Sequence, residues 1–186
     1  MIYFADTNVL YGQLGRDLLP TFRRRGLVQA YWSEYVLDEL TRARARDPGV
    51  SAGQLAYLIR TIREALPEAI VPAAAVEGVT VDPHLFPDRA DVDIVAAAVA
   101  CGASAIITAN VRDFPPRALE PYALQTVSLD DALASALTAQ PGEARTTLGR
   151  FLRMRTRPAY TPESLARRLT TVGLPDTAAA VSSVLA

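Results

Sequence analysis

Short apolar runs alternate with longer segments of helical periodicity over roughly the first 130 residues. The apolar runs predict strands at residues 2–5, 27–32, 105–108 and 122–126, with weaker strand or loop candidates at 69–71 and 76–81. Apolar positions at helical spacing predict helices at 9–25, from 33 to before 47, at 52–66, 89–101 and 129–137. The run at 105–108 shows no polar alternation, as expected for a strand covered on both faces. The pattern predicts an α/β fold with a parallel sheet.

Turn signals divide the chain near Gln140-Pro141-Gly142. We predict a main domain over residues 1–138 and a small helical extension over residues 139–186. Helical patterns in the extension lie near 143–154, 162–172 and from about 175 to the end. Pro162 and Pro175 each stand where a first helical turn is expected, which supports two of these starts.

Composition is that of an ordinary globular protein, with 50% hydrophobic and 21% charged residues in a chain of 186. No apolar run approaches the roughly 20 residues needed to span a bilayer, and no basic segment precedes the first strand. Cys101 is the only cysteine, which excludes an intrachain disulfide and a cysteine zinc site. We therefore expect a cytoplasmic protein without membrane contact.

Charge is distributed unevenly along a chain whose net charge is −1. Residues 1–137 carry 12 Arg against 17 Asp and Glu, a net of −5, whereas residues 138–186 carry 7 Arg against 3, a net of +4. All 19 basic residues are Arg, so a mechanism that needs lysine is excluded. The acidic main body argues against nucleic-acid binding through a broad basic face. Phosphate contacts would have to come from a metal ion and local arginines: Arg112, Arg42, Arg44, Arg46 and those within residues 145–157.

Four acidic residues fall near the ends of predicted strands or the starts of predicted helices: Asp6, Glu39, Asp91 and Asp113. Carboxylates gathered at one edge of a parallel sheet repel one another and lose water. Such a cluster is usually stable only when it holds a hard divalent cation such as Mg²⁺. The pattern therefore indicates metal-assisted phosphodiester chemistry.

Asp6 and Asp91 also have a structural interpretation as helix caps. Asp6 directly precedes a predicted helix, and Asp91 follows Asp88 at the spacing of a capping box. A helix N-terminus also keeps a carboxylate ionised, which suits a metal ligand. Asp93 is an alternative third acid, although it can pair with Arg89 four residues earlier.

The other two acids are equally open to a structural role. Helical spacing separates Glu39 from its neighbour Asp38, which shares a solvated face with Glu34 and Arg42. Glu39 instead shares an inward helix face with apolar residues, where an unpartnered carboxylate is costly unless something binds it. A surface pair between Glu39 and Arg42 is the alternative. Asn110 and Asp113 follow a buried strand and are also common turn formers.

In order and context, these residues resemble a PIN-domain nuclease. The resemblance rests on Asp6-Thr7-Asn8 after the first strand, Glu39 in the second helix, Asp91 before an apolar helix, and the segment from Thr108 to Phe114. It covers about residues 1–135 and is most specific over residues 87–115. It implies a three-layer parallel sheet with Asp6, Glu39, Asp91 and Asp113 as catalytic, metal-binding acids. Asp93 is a further candidate ligand, and the implied supporting residues are Thr7, Asn8, Thr108, Asn110 and Arg112.

The same resemblance implies a Mg²⁺- or Mn²⁺-dependent endoribonuclease, with products that carry 5′-phosphate and 3′-hydroxyl ends. Many bacterial members are VapC-type toxins, so an antitoxin protein is the implied partner and a homodimer is possible. Residues 169–175, Leu-Thr-Thr-Val-Gly-Leu-Pro, resemble a longer subgroup of these toxins with a C-terminal helical extension.

Two rival functions are considered. An aspartyl-phosphate phosphotransfer domain also places Asp after the first strand, but it normally needs a lysine that this chain lacks. A degenerate PIN-like RNA- or protein-binding module would not require the four acids. His84, the only histidine, lies in a predicted loop with no dyad partner, so histidine catalysis is not supported.

Overall fold

The computed structural model describes all 186 residues, and its centre is a five-stranded sheet in the order β3-β2-β1-β4-β5. The strands are β1 Ile2–Ala5, β2 Gln29–Ser33, β3 Ile70–Val71, β4 Ala105–Ile107 and β5 Gln125–Val127. Helices that precede β5 are α1 Thr7–Tyr11, α2 Gln13–Arg24, α3 Glu34–Arg44, α4 Ala52–Ala65, α5 Ala73–Glu77, α6 Ala90–Ala100 and α7 Pro116–Leu119. Helices that follow are α8 Leu129–Ala139, α9 Pro141–Met154, α10 Pro162–Thr171 and α11 Pro175–Leu185. Short 3₁₀ turns occupy Pro67–Ala69, Pro83–Leu85 and Glu120–Tyr122.

The strands run parallel, so their carboxyl ends share one edge of the sheet. Residue Ala5 of β1 stands opposite Ile107 of β4, and Ile107 stands opposite Val127 of β5. On the other side, Ser33 of β2 stands opposite Val71 of β3. The predicted fold class is confirmed: this is an α/β protein with a parallel sheet flanked by helices, consistent with a three-layer PIN-like arrangement.

The central strands are buried on both faces, as the absence of polar alternation in the sequence predicted. Phe4, Ala5 and every residue of β4 are fully excluded from solvent. Helix α6 packs on β1 and β4, and its residues from Ile94 to Ala98 are buried. Burial on both faces therefore holds β1 and β4 in place, and Asp6 and Thr108 are the residues that directly follow these two strands.

Two predicted elements differ from the structure. The helix expected over residues 9–25 is two helices, α1 and α2, because Gly12 leaves the helical conformation with φ −66° and ψ 135°. Residues 76–81 are not a strand. Ala73 to Ala75 favour helix strongly, so α5 extends to Glu77 and a loop follows.

The chain forms two compact units. Residues 1–16 and 30–127 make up the first, which contains the acidic residues of interest, and residues 17–29 and 128–186 make up the second. The predicted boundary after residue 138 falls inside the second unit, at the end of α8. The division of the chain into a nuclease-like domain and a helical extension after residue 138 stays a prediction.

Helix α11 packs against α8, α9 and α10 in the second unit. The segment 169–175 forms the turn between α10 and α11: Gly173 has φ +84°, and Leu174 N–H donates to the carbonyl of Leu169 at 2.9 Å. Glycine is favoured at that left-handed position, and Pro175 then begins α11. The Leu-Gly-Leu-Pro pattern is therefore explained by helix termination. None of the helices is both long and apolar enough to cross a membrane.

Candidate acidic site

A cavity of about 350 Å³ lies at the carboxyl ends of β1 and β4, within the first unit. All four predicted acids line it, together with Asp88. They come from four different elements: Asp6 follows β1, Glu39 lies in α3, Asp91 in the first turn of α6, and Asp113 in the loop after β4. No arginine and no histidine lines the cavity, so its walls are strongly acidic.

Asp6 is the most firmly held of these carboxylates. Its Oδ1 accepts from the backbone N–H of Thr7 at 2.6 Å, and its Oδ2 accepts from the Thr108 hydroxyl at 2.7 Å and from the Asn8 amide. Burial raises the pKa of Asp6, while the hydrogen bonds from Thr108 and Thr7 lower it. The residue is 8% exposed. Asp6 is thus both the helix cap of α1 and a member of the acidic cavity, so the two interpretations of its sequence are compatible.

Asn8 and Thr108 tie the ends of β1 and β4 together. The Asn8 amide donates to Thr108 Oγ1 at 3.0 Å, and Asn8 Oδ1 accepts from the backbone N–H of Ala109 at 3.0 Å. The same Thr108 oxygen accepts from the backbone N–H of Asn110 at 2.9 Å. This network orients Asp6 from behind, whereas Asn110 itself is exposed and lines the cavity.

Glu39 faces the cavity from α3, as its helical phase predicted. Its Oε2 accepts from the Thr7 hydroxyl rather than pairing with Arg42. The Arg42 guanidinium instead lies 5.9 Å from the centre of the Tyr35 ring. Asp38, one residue earlier, is exposed and lies 3.8 Å from Arg63. The distinction between neighbouring acids drawn from helical phase therefore agrees with the structure.

Asp91 has the least compensated carboxylate of the group. Its Oδ2 is buried and has no hydrogen-bond partner. Burial raises the pKa of Asp91 to about 7, and the charges of Asp113, Asp88, Asp6 and Glu39 add to the shift. A carboxyl group with this pKa holds its proton for half of the time near neutral pH.

Asp93 and Arg112 neither line the acidic cavity nor form a hydrogen bond with the acids that do. Asp93 is exposed and lines a different cavity, so the choice between Asp91 and Asp93 falls on Asp91 as the residue that meets the other acids. Arg112 is exposed on the loop after β4 and does not line the cavity.

Two polar lining residues were not predicted as site residues from the sequence. Tyr11 reaches the rim from the end of α1, where its hydroxyl donates to Asp47 at 2.5 Å. Asp88 was considered only as a cap; it accepts from the backbone N–H of Ala90 at 2.9 Å and also lines the cavity. Helical spacing offered a signal for Tyr11, since it lies one turn after Thr7.

The donor chemistry of the cavity fits a hard divalent cation, because every charged group in it is a carboxylate and Asp91 Oδ2 has no partner. The spacing is a separate matter. No group of three or more His, Cys, Asp and Glu side chains is arranged to hold a metal ion as the side chains stand. Binding would therefore require side-chain rotation toward the ion.

Comparison with protein-family models, with curated proteins and with solved structures found no match to this chain.

Proposed function

We propose that the chain is a Mg²⁺- or Mn²⁺-dependent endoribonuclease that hydrolyses RNA phosphodiester bonds. One observation carries this proposal: five carboxylates, those of the four predicted acids and of Asp88, line a single open cavity that contains no basic side chain. An RNA phosphate is anionic and would be repelled by such a cavity, so a bound cation is needed to bring the two together. PIN-like residue order supports the choice of phosphodiester hydrolysis over other metal-dependent reactions.

The carboxylates would divide the work of holding the ion. Asp6 is fixed by hydrogen bonds to both oxygens and would set the position of the ion. Asp91, Asp113 and Glu39 would turn toward it, and the Thr7 hydroxyl would steady Glu39. A bound divalent cation neutralises charge on the phosphate and lowers the pKa of a water molecule. Cation binding would displace the proton from Asp91, which couples metal affinity to pH.

The direct test is incubation of a mixed RNA pool with purified protein and Mg²⁺ or Mn²⁺, beside a sample in EDTA. We expect cleavage only with metal, and products with 5′-phosphate and 3′-hydroxyl ends by end mapping. Intact RNA in every metal, with well-folded protein, would count against the nuclease and in favour of a binding module.

A toxin role in the cytoplasm, with an antitoxin as partner, is proposed on the residue order over 87–115. An antitoxin would cover the acidic cavity with a basic side chain, and a homodimer would present two such cavities. Expression in a bacterium should stop growth, and Asp6→Asn should restore it. Equal growth arrest by the wild type and by Asp6→Asn would show that the toxicity does not depend on the acidic site.

Arg44 is predicted to hold RNA at the rim of the cavity. Its Nη1 pairs with Asp47 at 2.6 Å, and its guanidinium lies 5.4 Å from the centre of the ring of Tyr11, which lines the cavity. Arg44→Gln should raise KM about tenfold with little change in kcat, and should reduce the slope of log KM against log salt by about 1. Arg60→Gln, which removes an exposed arginine that does not line the acidic cavity, is the matched control. An unchanged salt slope in Arg44→Gln would show that Arg44 pairs with Asp47 but does not contact RNA phosphate.

Metal-free stability should fall as pH rises from about 4 to 7. The pKa of Asp91 is raised from 3.8 to about 7 in the folded protein. Its contribution is therefore fully present below pH 3.8 and lost as pH passes through about 7, where the native state must carry the charge. With allowance for solvent screening, the loss is on the order of 1 kcal/mol.

The free energy of unfolding is measured by urea titration in EDTA between pH 4 and 8, for the wild type and for Asp91→Asn. Other groups also titrate over this range, so the difference between the two proteins is what isolates Asp91. The difference should grow with pH in favour of the variant. Parallel curves would show that Asp91 ionises normally. Asp38→Asn, which removes an exposed charge, should track the wild type.

A further inference from the structure

A second cavity, of about 540 Å³, opens at the carboxyl ends of β2 and β3. Ser33 and Val71, the last residues of these strands, form its floor, and α5, the loop after it and α6 contribute walls. Its volume lies within the range of about 300–1,000 Å³ that is usual for small-molecule sites. In parallel α/β sheets the carboxyl edge of the strands is where ligands bind.

This cavity and the acidic one are neighbours along the same edge, because β2 lies next to β1 in the sheet. Two helices contribute to both: Tyr35 and Glu39 lie one turn apart on α3, and Asp91 and Asp93 lie two residues apart on α6. Tyr35 is close to both sets of acids. Burial raises the pKa of its phenol, and the charges of Glu39 and Asp93 raise it further. An extended ligand that follows this edge of the sheet from the acidic cavity therefore meets the second cavity next.

The walls of the second cavity determine which group that can be. They are mainly valine and alanine with the ring of Tyr35, and their only charged side chains are Glu34, Glu77 and Asp93. Glu34 is already held by Arg63 at 2.5 Å, whereas Glu77 and Asp93 form no ion pair. No arginine, histidine or side-chain amide lines the space. A phosphate would be repelled here, so a fitting ligand has apolar faces and hydrogen-bond donors at its edge.

We infer that the second cavity is a subsite for a guanine base of the RNA substrate, next to the cleaved phosphodiester. The inference rests on the proposed ribonuclease function. Guanine carries two adjacent donors, N1–H and the 2-amino group, and this pair matches the two oxygens of one carboxylate, supplied by Glu77 or Asp93. Its faces suit the valine walls and the Tyr35 ring, since unstacked RNA bases are held by such contacts.

Replacement of single guanosines by inosine in a short RNA provides the sharpest test, because inosine lacks only the 2-amino group. We expect kcat/KM at the adjoining bond to fall about tenfold or more with inosine in wild-type protein. In the Glu77→Gln, Asp93→Asn double variant, the RNAs with guanosine and with inosine should be cleaved with equal kcat/KM. Asp38→Asn, an exposed acid outside both cavities, should keep the preference. Equal cleavage of both RNAs by the wild type would overturn the inference.

A second arm does not depend on cleavage. Guanosine, inosine and uridine are titrated into the protein in EDTA, with binding followed by ligand-observed NMR. Guanosine should bind best of the three. Val79→Trp fills the cavity and should abolish this binding. Val172→Trp, at an exposed site of the second unit, is the control and should leave it unchanged. Guanosine binding without RNA cleavage would support the subsite and count against the nuclease. RNA cleavage without guanosine binding or preference would overturn the subsite and leave the nuclease in place.

Discussion

Asp91→Asn is expected to lower the rate of metal-dependent RNA cleavage by a factor of about 100 or more, with little loss of folded protein. The variant keeps the size and shape of the side chain and removes one anionic oxygen. Asp91 belongs to the group of acids that would hold the cation, and its Oδ2 is the one buried carboxylate oxygen of the cavity without a partner. A neutral amide there weakens the cation site and so the neutralisation of the phosphate.

A stability measurement distinguishes this effect from damage to the fold. Metal-free Asp91→Asn should be at least as stable as the wild type near pH 7, because the repulsion from Asp113, Asp88, Asp6 and Glu39 disappears. The wild type should gain thermal stability when Mg²⁺ or Mn²⁺ is added, whereas the variant should gain much less.

The design compares wild type, Asp91→Asn and Asp38→Asn for cleavage rate and for melting temperature with and without metal. Asp38 is exposed on α3, so its variant controls for the loss of one negative charge. Asp93→Asn should retain the metal-induced gain in stability, since Asp93 lines the other cavity. Full activity of Asp91→Asn would contradict a role for Asp91 in holding the cation. Loss of the metal-induced stabilisation in Asp93→Asn, but not in Asp91→Asn, would contradict it too.

The sequence predicted the strands that carry the site because buried parallel strands have a simple sequence pattern. Residues 2–5 and 105–107 are short, apolar and followed at once by polar residues. Since parallel strands end at one edge, Asp6 and Asp113 could be expected near each other from the sequence alone. Helical phase likewise separated Glu39 from Asp38. These inferences need only local pattern and one rule of sheet geometry.

The choice between Asp91 and Asp93 could not be made from pattern alone, because it depends on the packing of α6. Both lie in its first turn, and two residues along a helix turn the side chain by about 200°. Once Ile94 and Val95 are buried against the sheet, Asp91 meets the other acids and Asp93 is left outside. The resemblance also favoured Asp91 as the third acid.

The second cavity had no signal in the sequence, since about half of its lining comes from residues 71–81, where the strand predicted over 76–81 is the end of a helix and a loop. Ala73 of α5 and the valines near it show no binding motif in the sequence, and only the fold brings them together with Tyr35 around one cavity. Likewise, the break at Gly12 brings the end of α1, with Tyr11, to the rim of the acidic cavity. Both features depend on tertiary contacts that periodicity does not encode.

Asp130→Ala is expected to destabilise the second unit by about 3 kcal/mol. The buried carboxylate of Asp130, in α8, accepts from the backbone N–H of Asp176 at 2.9 Å and of Thr177 at 2.7 Å. These are free donors at the start of α11, so the carboxylate supplies the cap that Leu174 does not. Alanine leaves two N–H groups without acceptors, one of them in a residue that is 0% exposed, and each such loss is costly.

Urea unfolding with two probes measures this loss and assigns it to a unit. Trp32, the only tryptophan, is buried in the first unit and reports on it by fluorescence, while far-ultraviolet circular dichroism reports on all helices. Asp176→Ala is the control, because it removes an exposed carboxylate and keeps the backbone N–H. A loss no larger than in that control would mean that α11 does not depend on the buried cap. If only the dichroism transition shifts in Asp130→Ala, the two units unfold separately, whereas a common shift of both probes shows that they unfold together.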